Sequence, residues 1–235
     1  MRAAEYQKII ALPQKRAPRK VIDYLEINEV KSIVNNIDVK SLNGQRDYVL
    51  LNLLYNTGAR VQEICDLKVM SITFGHLPMV NIMGKGKKTR YVPLWPETAS
   101  MIENYLRAMQ LLDQPKSCLF MNSQGQPLTR FGVRYIVKKR CLDAENNCPS
   151  LKEKKIGPHT FRHTIAMHLL QAGIDLSVIK SWLGHVNLAT THLYVEIDMK
   201  MKRKALDACE PMNESKSLKC LLDKNKDILA WLNSL

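Results

Sequence analysis

Apolar residues recur at helical spacing along most of this chain and predict a largely α-helical domain. The first two helices are predicted within residues 24–37 and 45–57, and Gly58 is placed to end the second. Arg60 then begins a short helix, RVQEICDL. The remaining helical segments each carry a start signal: 95–112 with Pro96, 130–141 with Thr129, 159–172 with Pro158, 175–184 with Asp175 and 187–197 with Asn187.

Residues 77–95 break the helical pattern. Their sequence, LPMVNIMGKGKKTRYVPLW, has β-prone residues on both sides of a Gly-Lys-Gly-Lys-Lys turn. This predicts an antiparallel β-hairpin with a cationic tip that could reach into a DNA groove. Residues 118–129 are expected to form a short strand and turn, and residues 151–157 a basic loop. The predicted fold class is therefore α+β, predominantly helical, with a small antiparallel sheet.

The two ends of the chain differ from its middle. In residues 1–22 prolines and cations alternate, which predicts a basic linker of the interdomain type and hints that a preceding domain has been lost or is encoded elsewhere. Residues 199–235 are a tail that closes with DILAWLNSL, which predicts an amphipathic helix with one face formed by Ile228, Trp231, Leu232 and Leu235.

Charge and cysteine usage narrow the function classes. The chain has 235 residues, with 35 Lys plus Arg against 22 Asp plus Glu and a net charge of +13. Such an excess suits a polyanion, and nucleic acid leads, although a purely solubilising role is about as probable from charge alone. The six cysteines lack zinc-site spacing, and the chain has neither a membrane-length apolar run nor a secretory signal. A reducing compartment follows, a bacterial cytoplasm or a nucleus.

A phosphate-handling set of side chains is spread over the chain. It combines two guanidiniums, two imidazoles and a phenol, the kit for attacking a phosphodiester: Arg60, His159, Arg162, His185 and Tyr194. The first histidine and the second arginine lie three residues apart near a helix N-terminus, where unpaired N–H groups favour an anion.

Four ordered segments carry a family resemblance: YNTGARVQEICDL, GKGKKTRYVPL, PHTFRHTIAMHLLQAGIDLSVIKSWLGH and TTHLYVEI. They resemble the conserved boxes of the tyrosine recombinases, the integrase group that includes the Xer-type resolvases, over residues 24–197. The resemblance implies a catalytic domain at residues 23–198. It also implies six catalytic positions: Arg60, Lys85, His159, Arg162, His185 and Tyr194.

The chemistry implied by the resemblance is strand cleavage and rejoining without metal or ATP. Tyr194 would attack a DNA phosphate and form a 3′-phosphotyrosine, with His159 assisting removal of the phenolic proton. Arg60 and Arg162, with a further hydrogen bond from His185, would bind the non-bridging oxygens in the transition state. Lys85 would protonate the leaving 5′ oxygen. Arg162→Ala is expected to abolish cleavage with little loss of folding.

Further cations are expected to contact double-stranded DNA, although a merely solvated face is about as probable for the helical ones. They lie on the hairpin and on the 130–141 helix: Lys87, Lys88, Arg90, Arg130, Arg134 and Lys138. Glu63 is interpreted as a support for Arg60. Three other histidines are expected to be structural: His163, His168 and His192.

Family members commonly place a core-binding domain before the catalytic domain, and this chain begins where that domain would end. The tail helix could dock on a neighbouring protomer in a tetramer on DNA, or pack back on its own domain. Two rivals remain: a DNA-binding remnant or regulator without recombinase activity, and a type IB topoisomerase that relaxes DNA. A cytoplasmic, nucleoid-associated protein encoded by a mobile element is expected.

Overall fold

The structure is a computed structural model that describes residues 23–184 and Met199, with Lys85 described by its backbone. The predicted basic linker, the 187–197 helix with Tyr194, His185, His192 and the tail helix lie outside the described residues. Within the described part of the chain the α-helices are α1 (Ile27–Asn35), α2 (Leu42–Thr57), α3 (Val61–Cys65), α4 (Pro96–Ala108), α5 (Arg130–Ala144), α6 (Pro158–Gln171) and α7 (Leu176–Leu183).

The helix boundaries follow local chemistry. The Ser41 and Thr129 hydroxyls accept N–H bonds at 3.0 and 3.2 Å and cap α2 and α5. Asp175 caps α7 in the same way. Pro158 occupies the first turn of α6, where its missing N–H has no helical acceptor to lose. The predicted starts at Thr129, Pro158 and Asp175, and the predicted predominantly helical fold, are confirmed. The Ser41 cap was not predicted, and α2 begins three residues before the predicted position.

The predicted hairpin is also confirmed. Strands β1 (Ile72–Thr73), β2 (Met79–Met83) and β3 (Thr89–Pro93) form an antiparallel sheet in that order. The tip is a single 3₁₀ turn, Lys85–Lys87, in which Gly86 has a φ of 75°. The Gly84 N–H donates to the Lys88 carbonyl at 2.8 Å and closes the loop.

Two irregular segments differ from expectation. Residues 118–129 contribute only isolated bridges, between Lys68 and Cys118 and between Met121 and Pro127, because their pairings do not continue. The predicted strand there is wrong. The start of the predicted basic loop belongs to a 3₁₀ helix, Pro149–Glu153, where Leu151 is buried and Pro149 supplies a helix-compatible φ.

Helix α2 lies at the centre of the core, with Leu50, Leu51, Leu53 and Leu54 fully buried, and packs against α4 and α6. It ends at Gly58, whose φ is +58°. A Cβ at this position would lie 2.5 Å from Leu183 Cδ2 and 2.8 Å from Ile165 Cγ2. Glycine therefore lets the C-terminal ends of α2 and α7 meet against α6. In residues 23–184, no helix has the length and apolar character needed to cross a membrane.

Candidate active site

Three arginines from distant parts of the chain converge on the C-terminal end of α7. Each donates to a different one of three successive backbone carbonyls: Arg90 to Trp182 at 3.0 Å, Arg162 to Leu183 at 2.7 Å and Arg60 to Gly184 at 3.4 Å. These carbonyls form the negative end of the helix dipole, so cations are favoured there. Gly184, with a φ of +63°, is the residue immediately before His185. We call Arg60, Arg90 and Arg162 the arginine cluster.

Arg162 is the buried member of the arginine cluster. It is 5% exposed, and its Nη1 donates to the Gly58 carbonyl at 2.6 Å while Nη2 bonds Leu183. One guanidinium thus joins the C-terminal ends of α2 and α7. The expectation that Arg162→Ala would cost little folding is corrected by this burial, because truncation would leave two buried carbonyls without their donor.

Arg60 is held by Glu63, as the sequence predicted. Arg60 is the N-cap residue of α3, and Glu63 Oε2 accepts its backbone N–H at 2.9 Å while Oε1 accepts from its Nη1 at 2.8 Å. The Arg60 side chain remains 37% exposed. It therefore presents a positioned charge to the outside of the site.

Arg90 occupies a different place from the one predicted. Its side chain is 11% exposed, and Nη2 donates to Glu63 Oε2 at 2.7 Å. The expectation of a DNA contact is revised, because the guanidinium faces the interior of the site. Glu63 lies 27 residues before Arg90, and no local sequence signal relates them.

Glu63 stays ionised between these arginines. Burial alone would raise the pKa of its carboxyl, but the hydrogen bonds from Arg90 and Arg60 outweigh burial and lower that pKa. The carboxylate is 5% exposed. The trio of Arg60, Glu63 and Arg90 therefore carries one net positive charge, with its outer side at Arg60.

His159 lies in the first turn of α6 and is exposed. Its pKa is lowered, first by partial desolvation and then by the charges of Arg162, Arg134 and Arg60. The imidazole thus lies close enough to these cations for their charges to disfavour its protonated form, and it is neutral near pH 7. A neutral ring nitrogen can accept a proton.

A basic groove of about 570 Å³ begins at His159 and runs between α5 and the segment before α6. Its cationic lining includes Arg134, Lys138 and Lys155, all exposed. Lys154 also lines the groove, but its Nζ binds Glu29 Oε2 at 2.5 Å and the Tyr24 carbonyl at 2.9 Å. The groove joins two predicted DNA contacts to a predicted catalytic histidine.

The remaining predicted cations have different settings. Arg130 is exposed on α5, and Lys87 and Lys88 are exposed at the hairpin tip beside the backbone of Lys85. Arg140, another cation of α5, is not one of the predicted DNA contacts and makes two bonds to Asp47 Oδ2, at 2.9 and 2.6 Å. Its guanidinium is therefore part of an internal ion pair.

Two of the histidines expected to be structural, His163 and His168, are half-buried on α6. Burial, followed by the charges of His159 and Arg162, lowers the pKa of His163 to about 4. His168 Nδ1 lies 2.8 Å from the Tyr55 hydroxyl, and burial lowers its pKa as well. Among the described residues, no group of three or more His, Cys, Asp or Glu side chains is arranged to hold a metal ion.

The phage integrase family model matches residues 23–201. The chain belongs to the phage integrase family. This confirms the resemblance to the tyrosine recombinases. A putative integrase/recombinase, y4rC, of Sinorhizobium fredii is 37% identical over 233 residues, covering 99% of this chain and 69% of the relative. A tyrosine recombinase XerD of Staphylococcus saprophyticus is 34% identical over 196 residues, covering 82% of this chain and 64% of the relative.

Solved structures agree on the fold. The XerH site-specific recombinase, in a post-cleavage complex with its palindromic difH substrate, superposes with a TM-score of 0.68 at 26% identity. That match covers 80% of this chain and 53% of the XerH chain. The XerA recombinase has a TM-score of 0.66 at 24% identity, covering 88% of this chain and 72% of that chain. This phage integrase family member thus spans about two thirds of the curated relatives' length and half of XerH.

Of the six catalytic positions predicted for this phage integrase family member, the structure brings Arg60, Arg162 and His159 into one neighbourhood. Lys85 lies in the turn of the adjacent hairpin, and this turn approaches Glu63, since a Cβ at Gly84 would be 3.4 Å from Glu63 Oε1. His185 directly follows Gly184, whose carbonyl accepts from Arg60. Tyr194 lies nine residues further on, outside the described residues.

Proposed function

We propose that this chain cleaves and rejoins DNA strands through a covalent 3′-phosphotyrosine formed at Tyr194. The observation that carries the proposal is the convergence of Arg60, Arg162 and His159 beside the basic groove. The two arginines donate to the carbonyls of Gly184 and Leu183, the two residues directly before His185. A phosphodiester gains charge on its non-bridging oxygens as it is attacked. Guanidiniums held in advance stabilise that charge without reorganising during the reaction.

Each proposed step conserves atoms and protons. The Tyr194 oxygen forms a bond to phosphorus as the bond to the 5′ oxygen breaks, and the ester energy is kept in the phosphotyrosine. The phenolic proton passes to neutral His159, and Lys85 donates a proton to the departing 5′ oxygen. In the reverse direction a 5′ hydroxyl attacks the phosphotyrosine and releases Tyr194. Two arginines and His185 bind the phosphate throughout.

Site-specific recombination, which includes integration, is the biological activity we propose. Two observations support it: the relatives named above are integrases and recombinases, and XerH was captured with its difH substrate. Exposed cations of the basic groove and hairpin tip would hold the duplex by its phosphates: Arg134, Lys138, Arg130, Lys87 and Lys88. Binding should therefore weaken steeply as salt rises.

The proposed catalytic domain comprises residues 23–198, with residues 1–22 as a basic linker. We further propose that the tail up to Leu235, whose sequence predicts an amphipathic helix, associates protomers into a tetramer on DNA. A helix with such an apolar face would require burial against protein. A tail-truncated chain that still cleaves DNA but no longer self-associates on it would support this part of the proposal.

The test is recovery of covalently attached DNA. The full chain and Tyr194→Phe are expressed in cells with their native DNA, denatured and purified, and any attached DNA is sequenced. Adducts in the wild type alone support the proposal, and their sequence identifies the site. If neither protein carries DNA, the proposal fails in favour of a DNA-binding regulator. Relaxed plasmid without joined products between two sites would instead indicate a topoisomerase.

A further inference from the structure

Arg90 is an arginine of the site whose guanidinium is already engaged by protein acceptors on two sides. Its side chain is 11% exposed, against 37% for Arg60. Two nitrogens of its guanidinium bind different helices. Nη2 donates to Glu63 on α3 at 2.7 Å, and Nε donates to the Trp182 carbonyl on α7 at 3.0 Å. The residue itself is on β3. One buried guanidinium therefore joins the hairpin, α3 and the end of α7.

Glu63 links Arg90 to Arg60. Its Oε2 accepts from both the Arg90 guanidinium and the Arg60 backbone N–H, while Oε1 accepts from the Arg60 guanidinium. Arg90 thereby restricts rotation of the carboxylate and leaves Oε1 to orient Arg60. A guanidinium on a long side chain loses conformational freedom when it is held, so holding it before DNA binds removes that entropic cost from the reaction.

The α7 end is the second route from Arg90 to the site. Because Arg90 fixes the Trp182 carbonyl, it also fixes the next two carbonyls along the chain, which accept from Arg162 and Arg60. The Trp182 indole donates to the Asn56 carbonyl at 3.1 Å, which anchors the same turn to α2. A Cβ at Gly184 would lie 3.0 Å from Arg90 Nη1, so the guanidinium packs directly against this turn.

We propose that Arg90 is a positioning residue that orients Arg60 through Glu63 and sets the α7 end ahead of His185, without itself contacting DNA. This inference rests on the proposed strand-cleavage function. It assigns the hairpin a second role beside carrying Lys85. A displacement of β3 would move Arg90 and thereby change the position of Arg60 and of the turn before His185 together. Docking of the hairpin and orientation of the catalytic arginine thus form one event.

The variants that test this are Arg90→Met, which keeps side-chain length without donors, and Arg90→Lys, which keeps charge but cannot bridge two acceptors with a planar fork. Arg107→Met is the matched control, since the Arg107 side chain is 64% exposed on α4. Single-turnover adduct formation at saturating DNA and DNA affinity over a range of salt are measured. The DNA is the sequence recovered with the wild-type adduct.

Arg90→Met is expected to slow adduct formation about 10- to 100-fold, a loss typical of misplaced catalytic groups, while DNA affinity and its salt slope match the Arg107→Met control. Arg90→Lys should recover part of the rate. Weaker DNA binding with a salt slope reduced by about one, and an unchanged rate at saturation, would overturn the proposal in favour of a phosphate contact. Rates equal to the control would also overturn it.

A second measurement separates this proposal from the function on which it rests. The order of the Arg60 side chain is followed by ¹⁵Nε relaxation in the DNA-free wild type and in Arg90→Lys, the variant that disturbs folding less. A lower order parameter at Arg60 in the variant supports the positioning role, and an unchanged one overturns it. If the wild type forms no adduct, strand cleavage fails, and this readout still decides the role of Arg90.

Discussion

Two buried carboxylates of this protein each bind two arginines, with different consequences. Asp47 on α2 accepts the Nε and Nη2 of Arg46 at 2.9 and 2.7 Å and the same atoms of Arg140 at 2.9 and 2.6 Å. Glu63 on α3 accepts Arg90 at 2.7 Å and Arg60 at 2.8 Å. Both carboxylates are almost completely buried, at 2% and 5% exposure.

The exposure of the arginines distinguishes the Asp47 cluster (Asp47, Arg46 and Arg140) from the Glu63 cluster (Glu63, Arg60 and Arg90). Arg46 and Arg140 are 12% and 15% exposed, and each directs two donors at Asp47, so both are used inside the protein, where Arg140 fastens α5 to α2. In the Glu63 cluster Arg90 is similarly buried, but Arg60 is 37% exposed. It also lies among other cations that lower the pKa of His159. Position, and not residue type, leaves Arg60 exposed enough to meet a phosphate, whereas the other three arginines around Asp47 and Glu63 are held inside the protein.

Substitution of Arg162 is expected to have the largest effect on adduct formation. The Asp47 cluster has no arginine equivalent to it. Arg162→Lys keeps the charge but cannot bridge the Gly58 and Leu183 carbonyls as the guanidinium does. Adduct formation should fall about 10²- to 10³-fold, as for loss of a transition-state donor. Single-turnover cleavage at saturating DNA measures this. A wild-type rate in the folded variant would contradict the role of Arg162.

Asp47→Asn should affect stability and not chemistry. The substitution leaves two nearly buried guanidiniums without their carboxylate, which should cost about 3 kcal/mol of unfolding free energy. Adduct formation by the folded variant at low temperature should match the wild type, because the Asp47 cluster does not contact the proposed site. Denaturant unfolding and the adduct assay decide the two parts. A folded Asp47→Asn protein that fails to cleave would remove the distinction between the clusters.

Acid should destabilise the neighbourhood of the Glu63 cluster in two stages. His163 has a pKa lowered from 6.5 to about 4, so between these values the unfolded state binds more protons and the unfolding free energy falls as pH falls. The lowered pKa of the Glu63 carboxyl adds a later loss, below the ordinary value of 4.5.

His163→Gln separates the first stage from the second. The difference in unfolding free energy between pH 7.5 and pH 5 should be smaller in this variant than in the wild type, since glutamine does not titrate. Denaturant titrations at both pH values measure it. Equal differences in the two proteins would contradict the assignment.

The smallest expected effect concerns Arg134 in the basic groove. Its charge is one of those that lower the pKa of His159, so Arg134→Gln should raise that pKa, as followed by NMR titration. The same variant should reduce the slope of log affinity against log salt by about one. Arg130→Gln on the same helix is the control, and it should leave His159 unshifted. A His159 pKa that is unchanged in Arg134→Gln would contradict the groove geometry.

Most of the fold could be predicted from the sequence because the signals for it are local. Helix starts at Thr129 and Asp175, the stop at Gly58 and the hairpin turn depend on neighbours within a few residues, and each is confirmed. The 118–129 strand failed for the same reason, since only distant pairing decides whether a β-prone segment extends.

The site was predictable in part. The pairing of Arg60 with Glu63 was predicted because the two lie three residues apart at a helix start. The inward setting of Arg90 and the burial of Arg162 were missed, because both depend on the end of α7, 92 and 21 residues away along the chain. A sequence shows that an arginine is present, whereas its acceptor is set by packing.

The most direct test compares Arg60→Gln with Arg46→Gln, one arginine from each cluster, in the adduct assay and in denaturant unfolding. We predict that Arg60→Gln lowers adduct formation at least about 10²-fold with an unfolding cost of about 1 kcal/mol. Arg46→Gln should lose about 1–3 kcal/mol of stability and form adducts at the wild-type rate. Normal cleavage by Arg60→Gln, or failed cleavage by folded Arg46→Gln, would contradict the account.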